Sequence, residues 1–200
     1  MNVMHQKMTQ KSLFMVVAAI VTANISLFYS SCSSSQQQRP ATDESVVISR
    51  YAGRWYEIAR LPMPFQKADE AAFAEYSSLP NGRLSVHNIA IRADGSLHDI
   101  HGYAEVLNPP ENTKLSVHFR TWFAPFIPVP KEGNYWILYL DDNYQEAIVG
   151  TPNRKYLWIL ARTPKIPAYK LEDLLQRAGK LGFDESKMIF DPRIITKGMF

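Results

Sequence analysis

Tyr51-Ala52-Gly53-Arg54-Trp55-Tyr56-Glu57-Ile58-Ala59-Arg60-Leu61 is the stretch on which the fold turns. With Tyr51, Trp55 and Tyr56 among its side chains, it reads as a strand over Arg54–Leu61. Working outward, similar short runs recur at roughly ten-residue spacing, each closed by turn chemistry. Ala71–Leu79 ends at Pro80-Asn81-Gly82, and Arg83–Arg92 ends at Asp94-Gly95. Leu97–Leu107 ends at Asn108-Pro109-Pro110, and Thr113–Trp122 runs into a proline-rich loop. Tyr135–Leu140, Gln145–Thr151 and Lys155–Arg162 complete the series. Asn-Gly and Asp-Gly supply the positive φ that tight hairpins require. One helix follows: Pro167 suits a first turn, Leu171, Leu174, Leu175, Ala178 and Leu181 recur at helical spacing, and Gly182 is a natural stop. Its other face mixes charges, so the apolar stripe is expected to pack outside the sheet. A short last strand over Lys187–Phe190 closes the order. The expected fold is all-β: an eight-stranded antiparallel up-and-down barrel with one C-terminal helix packed outside. Such a barrel has no exposed edge and room for side chains or one small ligand.

The 200 residues suit one domain with a packed core, at 46% hydrophobic and 20% charged. The formal charge of +3 falls to about +1 if Lys7 and Lys11 leave with a leader. No basic stripe marks a nucleic-acid binder. The single cysteine, Cys32, excludes a disulfide within the chain and a cysteine-based zinc cluster.

Residues 1–31 read as a signal peptide: Lys7 and Lys11 precede a mostly apolar run from Leu13 to Phe28. Ser30-Ser31-Cys32 then resembles the lipobox of bacterial lipoproteins, with Tyr29 where leucine is usual. That resemblance implies that the Cys32 thiol receives diacylglycerol and that Ser33 directs export to an outer membrane. The polar run after Cys32 cannot bury apolar area, so residues 32–47 are expected to form a flexible tether, and 48–200 the barrel domain.

The opening segment, extended as Trp55-Tyr56-Glu57-Ile58-Ala59-Arg60-Leu61-Pro62 and followed by Phe65-Gln66, resembles the first-strand motif of lipocalins. Asp142-Asn143-Tyr144 sits near that family's second motif. Tyr156-Leu157-Trp158-Ile159-Leu160-Ala161-Arg162-Thr163-Pro164 matches its last barrel strand. The likeness covers about residues 48–191 and points to the bacterial outer-membrane lipoprotein branch, the Blc-like lipocalins. It implies that Gly53, Trp55 and Arg162 are structural, with the Arg162 guanidinium across the Trp55 ring. It also implies a binding protein for a hydrophobic small molecule or lipid, with no cofactor and no catalytic residue.

Strand alternation then nominates a cavity wall. If Arg162 points inward, so does Trp158. Val117 and Phe119 lie on the apolar face of the fifth strand, and Tyr76 on that of the second. On the sixth strand Tyr135, Ile137 and Tyr139 share one side and Trp136, Leu138 and Leu140 the other. We place the tyrosines inward, because a pocket tolerates polar tips. Glu57 alternates with Trp55 and needs a partner if buried; a bulge would equally turn it outward. His87, His98, His101 and His118 form no metal site on spacing, since His98 and His101, three apart, face opposite ways. The expected ligand is a fatty acid or lysophospholipid, stored or transported in the envelope. Two other classes stay open. One is an interaction module in which the loop Phe123–Asn134 docks an envelope protein or a second copy, forming a homodimer. The other is an enzyme using Glu57; a cysteine mechanism in the cavity is excluded, because Cys32 lies outside the barrel.

Overall fold

The computed structural model describes residues 39–121 and 128–193. Helix α1 (Ile48–Tyr51) leads into β1 (Gly53–Arg60), β2 (Ala71–Ser78), β3 (Leu84–Ile91), β4 (Leu97–Val106), β5 (Lys114–Phe119), β6 (Tyr135–Leu140), β7 (Glu146–Gly150) and β8 (Leu157–Ala161). Helix α2 (Ala168–Lys180), a 3-10 turn (Glu185–Lys187) and β9 (Ile189–Phe190) follow. Neighbouring strands pair in sequence order, and β1 pairs with both β2 and β8, so the sheet closes on itself as an eight-stranded antiparallel barrel. Beyond its midpoint β1 leaves β2, and Ala59 and Arg60 pair instead with Phe190 and Ile189 of β9. The expected last strand shrinks to two residues because Glu185–Lys187 turn instead of extending.

The pleat sorts side chains into two clusters. Inside lie Trp55, Tyr76, Val86, Val117, Ile137 and Leu160 with their neighbours. Outside, Ile58, Trp136, Ile148 and Ile159 pack beneath Leu171, Leu174 and Ala178 of α2. Each of those leucines, so covered, contributes roughly 1.5–3 kcal/mol. The helix starts one residue after Pro167. It ends where Gly182 takes φ +85° and Phe183 N–H and Gly182 N–H donate to the Ala178 and Gly179 carbonyls.

Arg162 ties the closed end together. Its guanidinium lies 3.9 Å from the Trp55 ring centroid. It donates to the carbonyls of Arg54 (2.9 Å), Arg50 (2.8 Å), Tyr51 (3.1 Å) and Tyr144 (3.1 Å). The Trp55 indole N–H donates to the Tyr51 carbonyl at 2.8 Å. Gly53 has φ +102°, and a Cβ there would stand 3.1 Å from an Arg162 nitrogen. The position thus demands glycine on conformation and on space.

Two bulges reset the alternation. In β1, Glu57 opposes Leu160 but Ala59 opposes Ile159, so Ile58 and Ala59 both face the helix. Glu57 stays inward, and Arg60, opposite the inward Trp158, is turned inward as well. In β6 the shift falls between Ile137 and Tyr139. Tyr139 therefore faces outward, under the Arg177 guanidinium at 4.4 Å, rather than into the barrel as alternation predicts. Leu140 takes the inner position.

Asp43 and Val46, placed by the sequence in a tether before the barrel, are bonded to the barrel itself. The β5–β6 ladder pairs only Lys114 with Trp136 and Leu115 with Tyr135. Asp43 serves the exposed β6 backbone beyond it. It donates to the Ile137 carbonyl (3.1 Å) and accepts the Leu140 N–H (2.7 Å). Val46, 2% exposed, donates to the Glu111 carbonyl. Backbone groups that the short ladder leaves unpaired are what fasten this segment.

Inside the wall, Glu57 and Arg60 form an ion pair at 3.1 Å with almost no exposure. The Gln66 amide donates to the same carboxylate at 2.9 Å, and Arg60 donates to the Gln66 and Lys67 carbonyls. This strut binds the β1–β2 loop to the barrel wall. Burial pushes the Glu57 carboxyl up to about 7, against the opposing pull of Arg60 and Gln66.

Two outcomes follow from these contacts. Trp55→Ala should destabilise the barrel by about 3–5 kcal/mol, and Arg162→Ala by less, because two of the carbonyls it serves face solvent and that of Tyr51 keeps the Trp55 donor. Urea denaturation of the double variant should show coupling of at least about 1 kcal/mol; strict additivity would separate the two residues. The second concerns pH. The unfolded carboxyl ionises near 4.5 and the folded one near 7, so between these values the folded chain holds the extra proton and its stability falls as pH rises. Glu57→Gln cannot ionise. Between pH 4.5 and 7 the wild type should lose up to about 3 kcal/mol relative to it, measured by denaturation at both ends of the window.

Candidate functional site

Just above Trp55 the interior holds a tyrosine chain. Tyr51, from α1, meets the Tyr135 hydroxyl at 2.7 Å, and Tyr135 meets that of Tyr76 at 3.1 Å. Tyr51 stacks on Tyr76 with ring centroids 5.9 Å apart. Burial pushes Tyr76 up to about 12, and it pushes Tyr51 and Tyr135 well above the ordinary tyrosine value. All three stay neutral at physiological pH and satisfy one another. The closed end is thus filled, apolar in bulk and polar only at mutually bonded tips.

Exposure rises from this floor toward the opposite end. Among inward-facing residues, Val86, Ala104, Val117, Ile137 and Leu160 are buried. Further along the same strands Ala90, Ile100, Phe119 and Trp158 are only partly buried, although they point into the barrel. The side chains at that end are less completely covered than those at the floor. At this end, a cleft of about 500 Å³ lies between Pro64 and Phe65 of the β1–β2 loop and Arg92 and His98 across from them, with Lys67 and Glu70 also in its wall. His98 belongs to the inward series of β4, so cleft and barrel share a wall. Phe65 is 69% exposed, and its outward ring meets Tyr156 edge-on at 5.8 Å. Tyr156 in turn lies 6.3 Å from Trp158.

Of the pocket residues expected from alternation, Tyr76, Val117, Phe119, Tyr135, Ile137 and Trp158 share the interior. Val117, Ile137, Tyr76 and Tyr135 belong to its filled half, while Phe119 and Trp158 border its open half. Glu57 faces inward but is committed to Arg60 and Gln66. That position offers no free carboxylate for acid–base chemistry. Tyr139 is outside. The alternation missed Arg60 and Tyr51. Arg60 reaches the interior only through the bulge, which leaves no mark in composition. Tyr51 precedes the strand and needs the turn of α1 to swing it over the floor. His98 and His101 do face opposite ways, yet cross-strand register sets His87 directly against His101 on the outer face. Cys32 and residues 122–127 of the proline-rich loop lie outside the described residues.

Residues 46–193 match the family model of the lipocalin-like domain. The chain is 39% identical over 152 residues to temperature-induced lipocalin-1 of Arabidopsis thaliana, covering 74% of this chain and 80% of that protein. It is 35% identical over 173 residues to the outer membrane lipoprotein Blc of Escherichia coli K12, covering 86% and 93%. It is 35% identical over 155 residues to apolipoprotein D of Macaca fascicularis, covering 74% and 78%. Among solved structures, insecticyanin of the tobacco hornworm Manduca sexta superposes with a TM-score of 0.56 at 22% identity, over 81% of this chain and 86% of that one; this likeness speaks for the fold alone. Barrel, floor and sequence relationship converge on one assignment: the chain belongs to the lipocalin-like family.

Proposed function

We propose that the protein binds one acyl-chain amphiphile, a fatty acid or lysophospholipid, and stores or carries it in the bacterial cell envelope. The observation that carries this reading is the partly buried state of Phe119 and Trp158 toward the mouth of a barrel whose other end is sealed. We read them as bordering a well, closed below by the tyrosine chain and open above, whose wall also carries Asn88 of β3. Such a well suits a chain that enters tail first and leaves its head at the mouth. The mouth cleft mixes Lys67, Arg92 and His98 with the single carboxylate of Glu70, a balance that favours a negatively charged head. Kinship with apolipoprotein D and with bacterial outer membrane lipoproteins supports the lipid class and the envelope. So does the general character of lipocalins as binding and transport proteins. Export by the leader 1–31 and acylation of Cys32 would hold the barrel at the outer membrane.

Binding should be visible as a change in tryptophan fluorescence on titration with fatty acids or lysophospholipids, with Trp158→Phe as the control for the reporter. Affinity should climb with chain length by at best about fourfold per methylene, since each one buried contributes about 0.8 kcal/mol, and then level off when the well is full. Phe119→Asp should abolish binding in a protein still folded by circular dichroism, while Tyr139→Phe, on the outer face, should leave it unchanged. Affinity independent of chain length would mean that the interior is plugged. The anchor is tested separately. Cys32→Ala should leave the leader uncleaved or move the protein from the membrane to the soluble fraction, and wild-type processing and fractionation would rule the anchor out.

A further inference from the structure

On the outer wall, remote from α2, the β3–β4 register places His87 directly across from His101, and the pleat brings Asp99 to the same face two residues from His101. The imidazole rings stack with centroids 4.0 Å apart and planes 11° from parallel. Both Nε2 atoms converge on one oxygen: His87 Nε2 lies 2.9 Å and His101 Nε2 3.1 Å from Asp99 Oδ2. The three ligand-capable atoms all lie within 4.8 Å of one another. Tetrahedral ligands bound to zinc at about 2.0–2.2 Å stand roughly 3.3 Å apart. To hold one ion, the two rings turn out of their parallel stack about χ1 and χ2 so that both Nε2 lone pairs aim at the same point.

A further contact bears on the same atoms. Glu75 of β2 points its Oε2 at His87 Nδ1 from 3.9 Å, while Arg54 holds its Oε1. When His87 Nε2 offers its lone pair to a cation, its proton resides on Nδ1, facing that carboxylate. At that distance the carboxylate acts on the ring through its charge rather than a hydrogen bond, which favours the proton on Nδ1. The His87, Asp99 and His101 side chains are 30%, 50% and 61% exposed, so an ion reaches them from solvent and keeps water in its remaining positions.

We propose that His87, Asp99 and His101 form a binding site for a divalent transition-metal ion on the outside of the barrel, with Glu75 orienting His87. Two imidazoles and one carboxylate select zinc, copper(II) or nickel(II) over magnesium or calcium, which prefer all-oxygen ligands. The site faces away from the interior and is independent of any bound lipid.

The test uses the full chain in detergent, carrying no polyhistidine tag. Zinc(II) titrated calorimetrically should bind at one tight site per chain. His101→Ala and Asp99→Asn should each weaken that site by at least about tenfold, while His98→Ala and His118→Ala leave it unchanged. Copper(II) added to the unsubstituted protein at one equivalent should show the paramagnetic resonance signature of two imidazole nitrogens, which requires no variant to fold. Zinc affinity no higher than in a His87→Ala/His101→Ala double variant, equal losses in His98→Ala or His118→Ala, or a copper spectrum without paired nitrogens would overturn the proposal. The lipid titration should be the same with and without zinc.

Discussion

The contact between Arg162 and Trp55 is the constraint on which the barrel rests. One guanidinium reaches from the end of β8 across the indole at the start of β1 and gathers carbonyls from Arg50, Tyr51, Arg54 and Tyr144. These groups come from the entry helix, the first strand and the β6–β7 turn, so a single side chain joins the two strands that close the sheet. A closed barrel has no edge to finish it. Its seam must be specified by side chains, and here the specification is concentrated at one end. That concentration leaves the other end free to be shaped by loops.

The interior follows from the same asymmetry. Above Trp55 the tyrosine hydroxyls satisfy one another, which removes the penalty of buried polar tips and fills the lower half. Toward the mouth the polar requirement changes. Glu57 and Arg60 are drawn inward, but they bond each other and the β1–β2 loop rather than the open space. Among the described residues the inner wall toward the mouth mixes apolar side chains such as Ala90, Ile100, Phe119 and Trp158 with the polar Asn88.

The outer surface repeats the logic of the pleat with different occupants. On the walls near β1 and β6–β8 the outward residues are apolar and lie beneath α2. On the wall made by β2–β4 the helix is absent, and the outward residues include Glu75, His87, Asp99 and His101, which pair across strands, with Glu75 also held by Arg54 at the start of β1. Alternation alone makes such a wall polar. Register alone decides that two imidazoles and a carboxylate converge instead of spreading along it.

Much of this was legible in the residues. Alternating apolar runs, Asn-Gly and Asp-Gly turns, the 3.6-residue stripe from Leu171 to Ala178 and the stop at Gly182 each act over a few residues, and they determined the strand order, the helix and the two-layer character of the chain. The motif around Trp55, with its partner near Arg162, determined the family. What only the tertiary structure decided is non-local. The bulges that turn Arg60 in and Tyr139 out arise because a closed, twisted sheet must absorb a register mismatch somewhere, and nothing in Ile58 or Leu138 marks the place. Asp43 is fastened because a ladder far along the chain is two pairs long. His87 meets His101, fourteen residues on in the sequence, because hairpin register sets them opposite each other, and a pattern read along one strand carries no information about the strand beside it.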